Sequence, residues 1–319
     1  MTERALRLGT RRSTLAMAQS GHVAEAVRRL TGRDVELVEI TTYGDVSREH
    51  LAQIGGTGVF VAALRDALLR GDVDFAVHSL KDLPTTPHEG LTLAATPERE
   101  DPRDALVARD GLTFHELPDG ARVGTGSPRR MAQLNAYARS HGLRIETVPI
   151  RGNVDTRIGY VRNGEFDAVV LAAAGLHRIG RIDEVTDFLS VDFVLPAPGQ
   201  GALAIECSAA DADLAAALAG LDDPHTRAAV TAERSLLAAL EAGCSAPVGA
   251  LADLLGDGQD ATEMRLRGVV GTPDGSALVQ LSTTGPVPTS HGDAIALGRE
   301  LASEMLAKGA AGLMGERAL

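Results

Sequence analysis

Three turns in this chain bring guanidinium groups to places where unpaired backbone N–H groups are also expected. They are Thr10-Arg11-Arg12-Ser13, Gly124-Thr125-Gly126-Ser127-Pro128-Arg129-Arg130 and Arg151-Gly152-Asn153-Val154-Asp155-Thr156-Arg157. Each opens a helix-like stretch, and a helix N-terminus with its orphan donors is a ready anion site. A single Arg-Arg pair in a first helical turn is most simply a solvated face. Its recurrence in a chain of formal net charge -12 points to a bound anion. Two further clusters could do chemistry. His78-Ser79-Leu80-Lys81-Asp82-Leu83-Pro84 follows a strand-like run, where parallel strands carry functional groups, although a turn lysine and aspartate also occur as a plain surface pair. Cys244 sits in Gly243-Cys244-Ser245-Ala246-Pro247, outside any apolar periodic run, so a reactive thiol and a small buried side chain both stay open. Cys207, within Leu203-Ala204-Ile205-Glu206-Cys207, fits a buried strand position. No His/Cys cluster has metal-ligand spacing, no turn matches a P-loop, and no Ser-His-Asp order stands out.

The elements that must position these residues alternate in the first half, which predicts α/β architecture with largely parallel sheets. Strands are expected at 35–40, 74–77, 122–124, 144–148 and 167–171, and helices at 59–69, 129–138 and 154–161. Leu15, Ala18, Val23, Ala26, Val27 and Leu30 fall on one helical face behind Ser13, a candidate cap. An internal repeat matters more than any single element. Leu8-Gly9-Thr10-Arg11-Arg12-Ser13, then Met17-Ala18-Gln19, resembles Val123-Gly124-Thr125-Gly126-Ser127, then Met131-Ala132-Gln133; the runs 35–40 and 145–150, and 71–77 and 164–170, correspond in the same order. Two lobes of like topology are expected, facing each other across a cleft, with 97–104 and 195–201 crossing between them as a hinge. The first lobe has an extra polar, glycine-containing segment, 43–57, that suits a lid. After Leu221 the pattern changes to a helix at 226–240, three strand-like stretches near 248–254, 263–270 and 277–284, and a closing helix at 294–306, the signature of a separate α+β domain with an antiparallel sheet.

With 44% apolar and 23% charged residues, the composition is that of an ordinary globular protein. No apolar run reaches membrane-spanning length, and Met1-Thr2-Glu3-Arg4 leads straight into a strand-like run, so a cytoplasmic protein with reduced thiols is expected. The acidic balance, the absence of tryptophan and the presence of only Lys81 and Lys308 as lysines argue against a nucleic-acid surface.

Seven ordered motifs spread over nearly the whole chain carry a resemblance to the porphobilinogen deaminase (hydroxymethylbilane synthase) family. They are 8–13, 78–84, Arg99-Glu100-Asp101-Pro102-Arg103-Asp104, 124–130, 151–157, Leu195-Pro196-Ala197-Pro198-Gly199-Gln200-Gly201 and Gly243-Cys244. The resemblance implies two lobes like those of type II periplasmic binding proteins, joined by a hinge, plus a C-terminal α+β domain with a three-stranded antiparallel sheet. The expected boundaries are 1–98 with 200–220, 102–196, and 222–319. It implies a transferase of tetrapyrrole biosynthesis that joins four porphobilinogen molecules head to tail, with loss of ammonia. Growth is on a dipyrromethane bound to Cys244 as a thioether, and hydrolysis releases a linear tetrapyrrole. Asp82 matches the catalytic aspartate, which would oppose the positive charge on a pyrrole nitrogen. Arg11, Ser13, Lys81, Thr125, Ser127, Arg129, Arg130, Arg151, Arg157 and Arg178 would hold acetate and propionate groups, a task that suits the bidentate guanidinium. The implied enzyme is a monomer whose partner is the small-molecule substrate, without nucleic acid, membrane or metal. Gln53, Thr57 and Ala62 stand where many relatives have lysines, and Pro128 and Asp155 depart from the pattern inside anion-binding motifs; Asp155 would orient Arg151 or Arg157.

Two other functions fit parts of the sequence. A bilobal binding protein for a small carboxylated ligand would explain the repeat but has no need of the last domain or Cys244. An acyl- or phosphoryl-transferring enzyme with Cys244 as nucleophile lacks a recognisable base motif.

Overall fold

The computed structural model describes residues 4–41, 58–243, 246–256 and 261–314. In chain order the elements are β1 (Leu6–Thr10), α1 (Thr14–Thr31), β2 (Val35–Glu39), α2 (Gly58–Leu69), β3 (Phe75–Ser79), β4 (Leu91–Ala95), β5 (Asp104–Ala108), β6 (Ala121–Gly124), α3 (Pro128–Ser140), β7 (Ile145–Val148), α4 (Val154–Arg162), β8 (Ala168–Ala172), α5 (Ala173–Arg178) and β9 (Asp187–Phe188). There follow β10 (Leu203–Ser208), α6 (Ala212–Leu218), α7 (Pro224–Ala239), β11 (Val248–Leu255), β12 (Glu263–Gly271), β13 (Leu278–Pro286) and α8 (His291–Ala307).

The first-lobe sheet runs β2-β1-β3-β10-β4 and the second β7-β6-β8-β5-β9. Matched strand for strand, these are one order, so the internal repeat is a repeat of topology. β1 lies parallel to its neighbours β2 and β3, and its counterpart β6 lies parallel to β7 and β8. The antiparallel strand is the one that follows a crossing segment: β5 pairs antiparallel with β8 and β9, and β10 with β3 and β4. The expectation of largely parallel sheets is therefore corrected: half of the pairings in each lobe are antiparallel. Strand direction is set by where the chain re-enters the lobe, which composition does not record.

Both faces of each sheet are covered, which is why these strands read as apolar runs. In the first lobe Leu6, Leu8, Phe75, Val77 and Ile205 pack with Val23 and Val27 of α1 and Leu214 and Leu218 of α6, while Ala76 meets Leu64, Ala67 and Leu68 of α2 on the other face. In the second, Leu106, Val123 and Val170 pack with Leu134, and Val107, Val169 and Leu171 with Ile158, Val161 and Leu176. α1 starts at Ser13, whose Oγ accepts from Ala16 N, and stops at Gly32, left-handed at φ 69°. Its inner face differs from the expected one at the end: Leu30 is 44% exposed, whereas Gln19 and Ser20 are buried.

The C-terminal sheet is antiparallel in the order β11-β12-β13, with Leu236 and Leu237 of α7 and Leu301 and Met305 of α8 in its core. The chain divides into two compact units, Met1–Glu100 with Ala202–Arg227 and Asp101–Gly201 with Ala228–Leu319. Within the second unit the C-terminal sheet is joined to the second lobe: Ala250 N donates to Pro196 O at 2.9 Å, Asn135 Nδ2 to Pro273 O at 2.8 Å, and Leu195, Leu251 and Val269 form a shared apolar contact.

Candidate active site

In the first lobe, adjacent parallel strands β1 and β3 end at the same edge of the sheet. β1 delivers Arg11 and Ser13, and β3 delivers Lys81 and Asp82, so four of the expected site residues come to one edge, as open α/β sheets place their ligand groups. All four are half-buried. Asp82 ends a single 3-10 turn, Leu80–Asp82, held by Leu80 N on Ala202 O at 3.0 Å and Leu83 N on Leu80 O at 3.1 Å. Ser13 is also the cap of α1.

The second lobe repeats the arrangement with more charge. Thr125, Ser127, Arg129 and Arg130 follow β6, Arg151 and Arg157 follow β7, and Arg178 ends the short helix after β8. Ser127 caps α3, accepting from Arg130 N at 3.4 Å, and Pro128 occupies the first turn, where its missing N–H would have been unpaired in any case. Its departure from the family pattern therefore leaves the helix start intact. Gly126 is required by space: a Cβ there would stand 2.7 Å from Ile150 O. Gly152 is required by conformation, at φ +116°.

Arg129 and Arg130 point inward. Arg129 Nη1 donates to Asp104 Oδ2 at 2.7 Å and to Leu195 O at 2.6 Å; Arg130 Nη2 donates to Asp104 Oδ1 at 2.7 Å and Nη1 to Val170 O at 2.8 Å. Gln200 Nε2 adds a third donor to Asp104 at 2.8 Å. Burial alone would raise the Asp104 carboxyl, but the charges and hydrogen bonds of the two guanidiniums outweigh it and hold it well below the usual carboxylate range. The Nε atoms of both arginines are buried without a hydrogen-bond partner. Arg157, with Nε on Gly152 O at 2.9 Å, is lowered to about 10 by burial and then by repulsion from Arg130. Arg178 Nη2 donates to Gly201 O at 2.6 Å, and Arg151 is exposed. The ion pair of Asp155 is with Arg181.

Cys244 and the segment 43–57, with Gln53 and Thr57, lie outside the described residues. Cys207 is fully buried in β10, and burial pushes its thiol up to about 11, an unreactive setting. Sequence reasoning assigned no role to Asp104, Gln200, Arg65 or Glu206. The signal for Glu206 was present, since a carboxylate inside an apolar strand run needs a buried partner; Arg65 and His78 provide it.

A sequence model described as "Porphobilinogen deaminase, dipyromethane cofactor binding domain" matches residues 6–216, and one described as "Porphobilinogen deaminase, C-terminal domain" matches 227–307. The chain is 83% identical over 318 residues to porphobilinogen deaminase 1 of Streptomyces coelicolor, covering 100% of both chains. It is 59% identical to the porphobilinogen deaminase of Thermobifida fusca, over 95% of this chain and 94% of that one, and 53% identical to that of Mycobacterium tuberculosis, over 97% and 98%. Among solved structures, a probable amino-acid ABC transporter extracellular-binding protein of Bacillus subtilis aligns at 12% identity and a TM-score of 0.41, covering 68% of this chain and 90% of that chain. Matches that span both lobes and the last domain do not favour a bilobal binding protein. This chain belongs to the porphobilinogen deaminase family.

Proposed function

We propose that in this porphobilinogen deaminase the carboxylates of cofactor and growing chain are held by the arginines at the sheet edges, that Asp82 is the catalytic carboxylate, and that Cys244 carries the dipyrromethane. The observation that supports this most is a local excess of cation. One buried carboxylate, Asp104, serves Arg129 and Arg130, and Arg157 stands close enough to Arg130 to be destabilised by it. Guanidiniums that repel one another in a half-dry site call for external anions. The dipyrromethane and substrates, each pyrrole bearing two carboxylates, fit that donor set.

When bound, the dipyrromethane would supply the free pyrrole carbon that accepts the first unit, and each later unit would join the ring added before it. Arg157 and Arg151, with the hydroxyls of Thr125 and Ser127 and the first N–H groups of α3, bind carboxylates and fix ring orientation. Arg178 serves the same purpose after β8, as do Arg11, Ser13 and Lys81 at the first-lobe edge. Arg129 and Arg130 hold carboxylates as well, their orientation set by their bonds to Asp104. Asp82 opposes the positive charge that develops on a pyrrole nitrogen as ammonia leaves the substrate, and its position on a single tight turn limits reorganisation. Asp82 also offers the oxygen that can exchange protons with that N–H.

The three-domain division at 1–98 with 200–220, 102–196 and 222–319, a monomeric state, a cytoplasmic location and a partner list confined to the small-molecule substrate belong to the same proposal. Among the described residues, no helix is long and apolar enough to cross a membrane. The proposal is tested by Arg157→Ala and Arg157→Lys: cofactor content and apparent substrate affinity should fall in the first and recover partly in the second. Unchanged values in both would remove the anion site.

A further inference from the structure

A buried charged cluster in the first lobe takes no part in the chemistry assigned above. Glu206, His78 and Arg65 are 3%, 6% and 8% exposed. Glu206 and His78 are diagonal neighbours on one face of the β3–β10 pair, because Glu206 stands opposite Ala76 and His78 opposite Ala204. The two alanines leave the room that the longer side chains fill. Arg65 reaches that face from α2, donating from Nε to Oε2 at 3.1 Å and from Nη2 to Oε1 at 2.7 Å. His78 Nε2 lies 3.2 Å from Oε2, close but off the axis of a hydrogen bond. Burial alone would raise the Glu206 carboxyl; His78 and Arg65 bring it down to about 2, so a full negative charge sits inside the lobe.

A buried bridge of this kind is a poor source of stability, since apolar side chains of equal volume generally serve as well. What it supplies is fixed geometry, and the part it fixes is the end of β3. The other face of that end is tied too, by Gln19 Nε2 donating to Ser79 Oγ at 3.0 Å. Consecutive residues thus meet neighbours on opposite faces immediately before the turn Leu80–Asp82: His78 packs against the Glu206 carboxylate, and Ser79 is hydrogen-bonded by Gln19.

We infer that Glu206 is a positioning residue for the reaction: through His78 it holds the end of β3 so that the following turn presents the Asp82 carboxylate in one place. The inference rests on the assignment of Asp82 as the catalytic carboxylate. It is tested by a double-mutant cycle on the holoenzyme with Glu206→Gln, Asp82→Asn and the pair, reading kcat, KM and cofactor content. Glu206→Gln should lower kcat about tenfold with KM and cofactor content unchanged, and should add less than about a twofold loss once Asp82 is asparagine, because residues acting as a unit are not additive. A kcat of Glu206→Gln within about twofold of wild type, or the same fold loss in both backgrounds, overturns the inference while leaving Asp82 in place. A normal kcat for Asp82→Asn overturns the assignment beneath it. Should Glu206→Gln fail to fold because Arg65 loses its counter-ion, His78→Asn, which leaves the Arg65–Glu206 pair whole, is read through the same cycle with the same criteria.

Discussion

Asp104→Asn should cost much more than one hydrogen bond. In the wild type a single carboxylate receives Arg129 Nη1, Arg130 Nη2 and Gln200 Nε2, and all four side chains belong to residues no more than 5% exposed. Asparagine fills the same space but removes the charge and turns one acceptor into a donor that faces donors. Two guanidiniums then stay buried without a counter-ion, a change worth about 3–5 kcal/mol. At about 2–4 °C per kcal/mol for a body of this size, the melting midpoint should fall by about 6–20 °C. Urea unfolding of wild type and variant from pH 7 down to pH 3 measures this. The folded carboxyl is depressed, so its contribution is complete above the ordinary carboxyl value of about 4 and is lost as pH falls through the lower folded value. The gap between the two proteins should therefore be constant from pH 7 to 5 and narrow only below about pH 4. A gap under about 1 kcal/mol at pH 7, or one that already shrinks between pH 7 and 5, would refute the reasoning.

Three further outcomes are expected. Asp82→Asn should keep the fold and cofactor while kcat drops by about 10²–10³, the loss typical when one stabilising group is removed from a developing charge; single-turnover kinetics read this directly. Arg157→Ala should weaken holoenzyme assembly and substrate binding by about 2 kcal/mol or more, and added salt should shrink the difference from wild type, because the lost contacts are ionic. Cys207→Ala should retain covalent cofactor and activity, since that thiol is buried and pushed up to about 11; loss of the adduct on mass analysis would contradict its structural role.

The lobe repeat was legible because both lobes contain the same solution to one problem, a strand ending in a capped helix start: Ser13 and Ser127 are caps in the two copies. The edge location of Arg11, Lys81, Asp82, Arg129, Arg130, Arg151 and Arg157 followed from strand-to-turn spacing, whereas Arg178 was named only through the family resemblance. Pairings over long separation were not legible. Asp104 was visible in its motif, but nothing nearby in sequence says that Arg129, Arg130 and Gln200, 25, 26 and 96 residues away, converge on it. Nor was the ion pair of Asp155 with Arg181, 26 residues further along the chain, visible from its near neighbours Arg151 and Arg157. β5 escaped notice because Asp104-Ala-Leu-Val-Ala, covered on both faces, shows no alternation.

Intact-protein mass followed by peptide mapping tests the central claim most directly, that the chain grows on a two-pyrrole primer held by Cys244. The account predicts a purified wild-type chain heavier than its sequence by two pyrrole units, with the adduct on the peptide that contains Cys244 and absent from Cys244→Ala, which should be folded and inactive. An active wild-type preparation of unmodified mass, or an adduct mapped to Cys207, would contradict it.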